Sequence, residues 1–420
     1  MTRSEDHITE ALQYLRGALE KTPRFPGKAA AAEKLQELEE YVIKQRPPRL
    51  MIIGRRGAGK SSLVNAMFKQ KVAEVGAVAS RTPRGKWYQY EGDMGRLEML
   101  DTRGLGDYSR PNGSTTGDAT EEAMLAIEKK CPDAVLFLCK AKEVDARVAE
   151  DMTNLKAILD RVQECHGCRL PILAIVTQVD ELDPRREDPP YESPDKQKNI
   201  RDAKTQLSKV FRHQCLEPER AFAVSAYSEW DENGQLKDSA LHWNVDELAR
   251  YLVETLPKSA RLQMARLARV QTVQVSVARK LTRATATVCA GIAATPIPIG
   301  DILPITAAQV SLITSIGYLS GRELSTKAAK EFMVAAGLNV GGGFVLREAA
   351  RGLIKWVFPA GGLAISAGIA FAATSGIGEA AIAYFIYRAP IEDAKKIADQ
   401  VKEQKKKEYD QQDGTDQATD

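Results

Sequence analysis

Between residues 50 and 256, short apolar runs alternate with longer segments of helical period. The runs fall at 50–53, 97–100, 134–138, 172–176 and 221–224, and helical patterns near 119–130, 146–163, 197–214 and 245–256 separate most of them. This order predicts an α/β domain: a mostly parallel sheet with helices on both faces. Residues 86–91 are placed to add an edge strand, forming a hairpin with the strand at 96–100. Ahead of the sheet, residues 7–20 and 28–46 carry helical periodicity, broken by Pro23 and Pro26 and stopped by Pro47-Pro48, with Leu35, Leu38, Val42 and Ile43 on one face.

The pattern changes at Pro257. From 258 to 290 there are seven basic residues and no acidic one. At 100° per residue Lys258, Arg261, Arg266, Arg269, Arg279, Lys280 and Arg283 fall on one side and Leu267, Val270, Val275, Ala278 and Leu281 on the other, which predicts one amphipathic basic helix. Its polar face suits either solvent or an anionic membrane surface. Residues 284–387 are rich in Ala, Gly, Ile and Val and poor in charge, and 302–321 and 356–378 each approach the ~20 residues that span a bilayer. A helical, apolar domain over 257–390 is expected, associating with membrane or with itself. Residues 391–420 are charged and polar; the first half is expected to extend a helix and the last ten to be disordered. The expected division is thus a helical N-terminal extension over 1–47, a nucleotide-binding domain over 48–256, the helical domain over 257–390, and the tail.

The 420 residues exceed what one core organises, and a net charge of +3 gives no global nucleic-acid signature. Residues 1–10 are polar and do not read as a signal peptide. The six cysteines are scattered without a disulfide framework, which suits a reducing cytoplasm. Cys165-His166-Gly167-Cys168 is a lone Cys-x-x-Cys with no second pair to complete a zinc site.

The chemistry concentrates after the first strand. Gly54-Arg55-Arg56-Gly57-Ala58-Gly59-Lys60-Ser61 is a phosphate-binding loop in spacing and context: apolar strand before it, helix from Ser62 after it. Its glycines let successive amides and a helix N-terminus face phosphates, Lys60 reaches the β- and γ-phosphates, and the Ser61 hydroxyl suits Mg²⁺. About forty positions on, Asp101-Thr102-Arg103-Gly104 follows a strand: the carboxylate can hold Mg²⁺ through a water, and the Gly104 amide can meet a γ-phosphate. Thr82 is a candidate second hydroxyl ligand of Mg²⁺. Thr177-Gln178-Val179-Asp180 ends a later strand, and Asp180 can accept from guanine N1–H and N2–H₂, a donor pair that adenine lacks. Ser225-Ala226 follows the last strand and can offer a backbone N–H to guanine O6. Arg55 and Arg56 either face solvent and acidic neighbours or act on transition-state charge.

In this order and spacing, the five segments resemble the guanine-nucleotide-binding domain of Era-like and immunity-related GTPases over roughly residues 48–256. The stretch from Ala293 through Pro296 and Pro298 to Asp301 and Ile302 resembles the helical module often joined to bacterial Era-like GTPases. The resemblance implies GTP/GDP and Mg²⁺ as cofactors, GTP hydrolysis that is slow without dimerisation or a partner, and a G-domain homodimer. No known RNA module follows the G domain, so no specific nucleic acid is expected; the expected location is cytoplasmic, peripheral to or inserted at the cytoplasmic face of a membrane. Three departures stand out. Gln178 replaces the usual lysine packed over the base, Leu105 stands where Ras-like proteins carry a water-orienting glutamine, and Gly57 stands where potassium-dependent members carry asparagine. An ATP-dependent kinase or ATPase, a ribosome- or RNA-associated GTPase, and a non-hydrolysing GTP-binder are the competing readings.

Overall fold

The computed structural model describes residues 3–21, 28–69, 71, 87–92, 94–101, 119–144, 148–232, 236–237, 242–294, 297–298, 303–324, 326–336 and 364–416. The chain divides into two compact units, Arg46–Val270 and Met1–Gln45 together with Gln271–Asp420.

The first unit is built on six strands: β1 Arg49–Ile53, β2 Trp87–Gly92, β3 Gly95–Asp101, β4 Ala134–Lys140, β5 Ile172–Thr177 and β6 Arg220–Ala223. Their spatial order is β2-β3-β1-β4-β5-β6. Every pairing is parallel except that of β2 with β3, which is the hairpin expected at the edge. The strands read as continuous apolar runs because both faces are covered. On one face Met51, Ile53, Val135, Phe137, Ala174 and Val176 form a core with Ile127 of α4 (Ala119–Lys129), Leu155 and Ile158 of α5 (Val148–His166), and Leu207 and Phe211 of α6 (Pro194–His213). The alternate residues Leu50, Ile52, Leu136, Leu138, Leu173 and Ile175 are equally buried. Phe222 of β6 meets Tyr251 of α7 (Val245–Thr255) edge-on, with ring centroids 5.4 Å apart. α3 (Lys60–Phe68) and α8 (Lys258–Ala268) complete the unit.

At the N-terminal ends of the central strands two buried carboxylates hold the sheet together. Asp133 accepts from Arg46 Nη1 at 2.7 Å and from the Arg49 amide at 2.9 Å. Glu98 accepts from Arg49 Nε and from Lys130 Nζ, both at 2.9 Å. These bonds join β1, β3 and the approach to β4. A buried charge is tolerated when its lone pairs are filled in this way.

The second unit is helical: α1 Arg3–Lys21, α2 Lys28–Val42, α9 Gln271–Ile292, α10 Leu303–Leu319, α11 Thr326–Ala335, α12 Ala367–Phe385 and α13 Ile391–Asp416, with a two-residue bridge between Ile297–Pro298 (β7) and Ala364–Ile365 (β8). Small residues bring its helices close. A Cβ on Gly376 would stand 2.7 Å from the Ala398 carbonyl oxygen, and one on Gly378 would overlap Thr282.

Three expectations change here. The N-terminal helices are no separate extension: Leu12, Leu15, Leu35 and Leu38 are buried in the helical unit. The basic stripe is not one helix. Arg269 takes the left-handed conformation (φ 51°) between α8 and α9, and the two helices belong to different units, each burying its own apolar side. Arg266 is buried, and Arg279 pairs with Glu379 at 2.9 Å, so the seven basic groups do not form a common face. Finally, α13 runs on to Asp416, its first turns anchored by buried Ala394 and Ala398. The apolar helices run over 303–319 and 367–385, and residues 356–363 of the second expected span lie outside the described residues.

Glu98 generates a test of the sheet's brace. Burial pushes its carboxyl up, but the hydrogen bonds from Lys130 and Arg49 more than reverse this and hold it below the usual range. A depressed folded value means stabilisation that is present above the unfolded value and lost as pH falls through the folded one. Glu98→Gln should therefore cost about 1–3 kcal/mol at neutral pH. Urea midpoints of mutant and wild type should converge as the pH drops below about 4.

Candidate functional site

The site forms where β1 ends. Gly54 passes so close to β4 that a Cβ would stand 2.7 Å from the Leu138 carbonyl oxygen. Gly57 and Gly59 adopt φ of 76° and 83°, a region that side chains disfavour, and the chain turns back into α3. Gly59 is the N-cap of α3, and no side chain caps that end. The first-turn amides, those of Ser61 and Ser62 among them, therefore present donors and the positive end of the helix dipole. Lys60 donates to the carbonyls of Gly54 and, at 3.1 Å, Arg55. Ala58 is buried, and its amide donates back to the Arg55 carbonyl at 3.1 Å.

The end of β5 is tied to this loop. The buried Thr177 hydroxyl donates to the Ala58 carbonyl at 2.9 Å. Gln178 takes φ of 56°, and its side-chain amide donates to the Gly57 carbonyl at 2.7 Å. A 3₁₀ turn over Val179–Glu181 follows and carries Asp180, half-buried. Beyond β6, the Ser225 amide donates to the Trp243 carbonyl at 3.1 Å, and Trp243 returns the bond at 3.0 Å. Ser225 N–H is thereby committed, which leaves the Ala226 N–H as the candidate for a base carbonyl. Asp101 ends β3, in register with Ile52 of β1, two residues before the loop. The Ser61 hydroxyl is a hard oxygen donor of the kind Mg²⁺ takes, and the side chain of Asp101 lies outside what is described. Thr82 and Gly104, and the segments around them, lie outside the described residues. Among the described residues no cluster of three or more His, Cys, Asp or Glu side chains marks another metal site.

The two loop arginines differ. Arg55 Nε donates to Asp151 Oδ2 of α5 at 2.9 Å, and Asp151 is buried, so Arg55 braces the loop against the domain rather than extending from it. Asp151 is the acidic neighbour that one of the two readings of Arg55 expected. Arg56 is exposed.

Several residues at this end gave no warning in the sequence. Lys196, in the first turn of α6, is fully buried and donates to the carbonyls of Asp180 (2.9 Å), Leu182 (2.6 Å) and Pro184 (3.3 Å). Burial pulls its ammonium below the usual lysine range, against the pull of Asp180, Glu187 and Asp183. Glu187 accepts from the amides of Glu192 (2.6 Å) and Ser193 (2.8 Å) and closes the proline-rich loop. One available signal was a lysine at the third position of a helix, where its charge opposes the dipole.

Residues 49–177 match a family model described as 50S ribosome-binding GTPase. The fold of the first unit is that of a P-loop GTPase. The chain is 33% identical over 125 residues to GTPase Der of Campylobacter hominis, a match covering 28% of this chain and 26% of that protein. GTPase Der of Bacillus mycoides is 31% identical over 113 residues, 27% of this chain and 26% of that one. The chain thus spans about a quarter of the length of these curated relatives. Similar solved structures are Toc33 from Arabidopsis thaliana (TM-score 0.35, 14% identity, 59% of this chain and 95% of that one). Another is Era from Aquifex aeolicus bound to GDP and AlF₄⁻ (TM-score 0.33, 17% identity, 58% and 67%).

The Arg55–Asp151 pair is testable as a brace. In a double-mutant cycle with Arg55→Ala and Asp151→Ala, the coupling energy should reach about 1–3 kcal/mol in chemical unfolding. A solvated arginine would couple by about 0.5 kcal/mol or less.

Proposed function

We propose that this chain binds GTP with Mg²⁺ and hydrolyses it to GDP and phosphate, as a switch or mechanochemical protein whose helical unit carries the response. The observation that supports this most is the pair of hydrogen bonds from Thr177 and Gln178 to the phosphate loop. They fix a turn carrying a carboxylate beside a phosphate cradle, the arrangement a guanine nucleotide requires at its two ends.

In this reading, the amides of Gly57, Gly59, Lys60, Ser61 and Ser62 and the Lys60 ammonium take the phosphates. Ser61, Thr82 and Asp101 would hold Mg²⁺, which would supply positive charge against that developing on the β- and γ-phosphates. Gly104 senses the γ-phosphate, and its loss on hydrolysis releases the switch segments. Asp180 accepts from guanine N1–H and N2–H₂, and the Ala226 amide meets O6. With Leu105 unable to orient water, Arg56, exposed on the phosphate loop, would act on the transferring phosphate across a G-domain homodimer. The helical unit supports self-association better than insertion. Among the described residues Ala367–Phe385 alone is long and apolar enough to cross a membrane, and 78% of its apolar window is already buried. An anionic membrane would then meet the outside of the helical unit, and vesicle flotation with and without GTP tests this.

One finding favours a second reading, a ribosome-associated GTPase: the description of the family matched at 49–177. Co-sedimentation with large ribosomal subunits in GTP but not GDP would select it.

The nucleotide assignment has a direct test. GTP should bind more tightly than ATP in the presence of Mg²⁺. Lys60→Ala should weaken GTP at least about 100-fold, equivalent to about 3 kcal/mol. Asp180→Asn should weaken GTP and favour xanthosine triphosphate, whose ring carbonyl accepts from the new amide. Equal affinity of the native protein for ATP and GTP would end the assignment. For hydrolysis, Arg56→Ala should lower turnover at saturating GTP while leaving affinity intact, and the native specific activity should rise with protein concentration. An arginine aimed at the transferring phosphate contributes ~10³–10⁵ in rate.

A further inference from the structure

Residues 183–193 have the composition of a surface insertion, charged and rich in proline, yet they are held from both sides. Glu187 ties the loop to the start of α6 through the Glu192 and Ser193 amides. Asn199 Nδ2 donates to the Asp183 carbonyl at 2.8 Å, and Gln197 Nε2 to that of Tyr191 at 3.2 Å. At the centre stands Lys196, with no solvent exposure. Its ammonium has three N–H groups, and three backbone carbonyls receive them, those of Asp180, Leu182 and Pro184. It also lies 4.7 Å from the centre of the Tyr191 ring.

We propose that Lys196 is a positioning residue for base recognition, a buried cation that holds Asp180 and, through Tyr191 and Trp243, the Ser225–Ala226 turn in one geometry. The proposal rests on the guanine-nucleotide reading and deepens it. The first link is direct: one of the three carbonyls is that of Asp180 itself, and the other two lie just beyond it. These bonds fix a short irregular turn that no strand pairing holds. The second link is a relay. Tyr191, under the ammonium, packs against the Trp243 ring with centroids 5.2 Å apart. Trp243 exchanges two backbone hydrogen bonds, of 3.1 and 3.0 Å, with Ser225. The two loops assigned to neighbouring groups on the one edge of guanine therefore share one support. A carboxylate that must meet two donors on a flat ring needs its backbone fixed to about half an ångström, and a site gains that precision from the shell behind it. Placing a lysine in the first turn of a helix, and burying it without a carboxylate on its nitrogen, is unfavourable on both counts. The three carbonyls compensate, and they belong to the segment that carries Asp180.

The test compares GTP and ATP affinities, with Mg²⁺, in wild type and in Lys196→Met, which keeps the aliphatic stem. The phosphate loop is untouched, so ATP, bound through its phosphates, should change by less than about twofold. GTP should weaken about tenfold or more, because the carbonyls lose their donors and the turn its geometry. The GTP:ATP ratio should fall by the same factor. Equal losses for both nucleotides would mean a merely structural lysine and overturn the proposal, as would an unchanged ratio. A wild-type protein with no preference for GTP would overturn the guanine reading, and this proposal with it. If Lys196→Met shows no cooperative melting, Asn199→Ala decides, since it removes one outer hold on the same loop. Its ratio should fall about threefold, and an unchanged ratio would overturn the proposal.

Discussion

A loop that turns its amides outward to a phosphate must turn its carbonyls inward, and each of those carbonyls then needs a donor from the protein. In this G domain the donors are side chains. Lys60 serves Gly54 and Arg55, Gln178 serves Gly57, and Thr177 serves Ala58. The loop cannot keep its shape without them, and two of them come from the end of β5. The phosphate loop and the turn after β5 are thereby one mechanical object. The remaining architecture supplies its supports: buried β1 and β4 beneath the loop, α3 running away from it, and Arg55 tying it sideways to α5 through Asp151.

The same device recurs at both ends of the sheet with the charges reversed. At the N-terminal ends of the strands, buried Glu98 and Asp133 collect N–H groups from arginines, a lysine and one amide. At the opposite end, buried Lys196 collects carbonyls. Hydrogen bonds within strands and helices satisfy the regular backbone, but connections have no such ladder. A buried ion can satisfy several groups of one kind at once, which makes it an efficient fastener for irregular segments, provided nothing is left unpaired.

Much of this was legible in the sequence because the signals were local or periodic. The phosphate loop, the parallel sheet and the β2–β3 hairpin follow from glycine spacing and from short apolar runs between helices. What failed depended on who packs against whom. Helical period shows that 28–42 buries one face but not that the partner lies more than two hundred residues on. The seven basic residues after Pro257 share a side only if the helix is continuous, and Arg269 in the left-handed region breaks it. Arg55 is one of two adjacent arginines in sequence and differs only because Asp151 lies within reach of its guanidinium. Lys196 sits in a polar, charged stretch, so composition assigns it to the surface, whereas the loop 183–193 encloses it.

Gln178 brings these strands of argument together. In the resembling family a lysine at this position packs over the base. Glutamine keeps one part of what such a side chain can do, donating from Nε2 to the Gly57 carbonyl at 2.7 Å, so the join between phosphate loop and base turn survives. It is shorter and lacks the long aliphatic stem that a lysine lays over an apolar surface. Under the proposed guanine reading, less of the base's binding energy can then come from its face, and more must come from its edge, through Asp180 and the Ala226 amide. Edge recognition is directional and loses strength steeply with misalignment, whereas face packing is tolerant. A site that has given up the tolerant contact depends more on the rigidity of the directional ones. That dependence is a physical reason for a fully buried lysine and an ordered proline-rich loop to stand behind a turn of three residues.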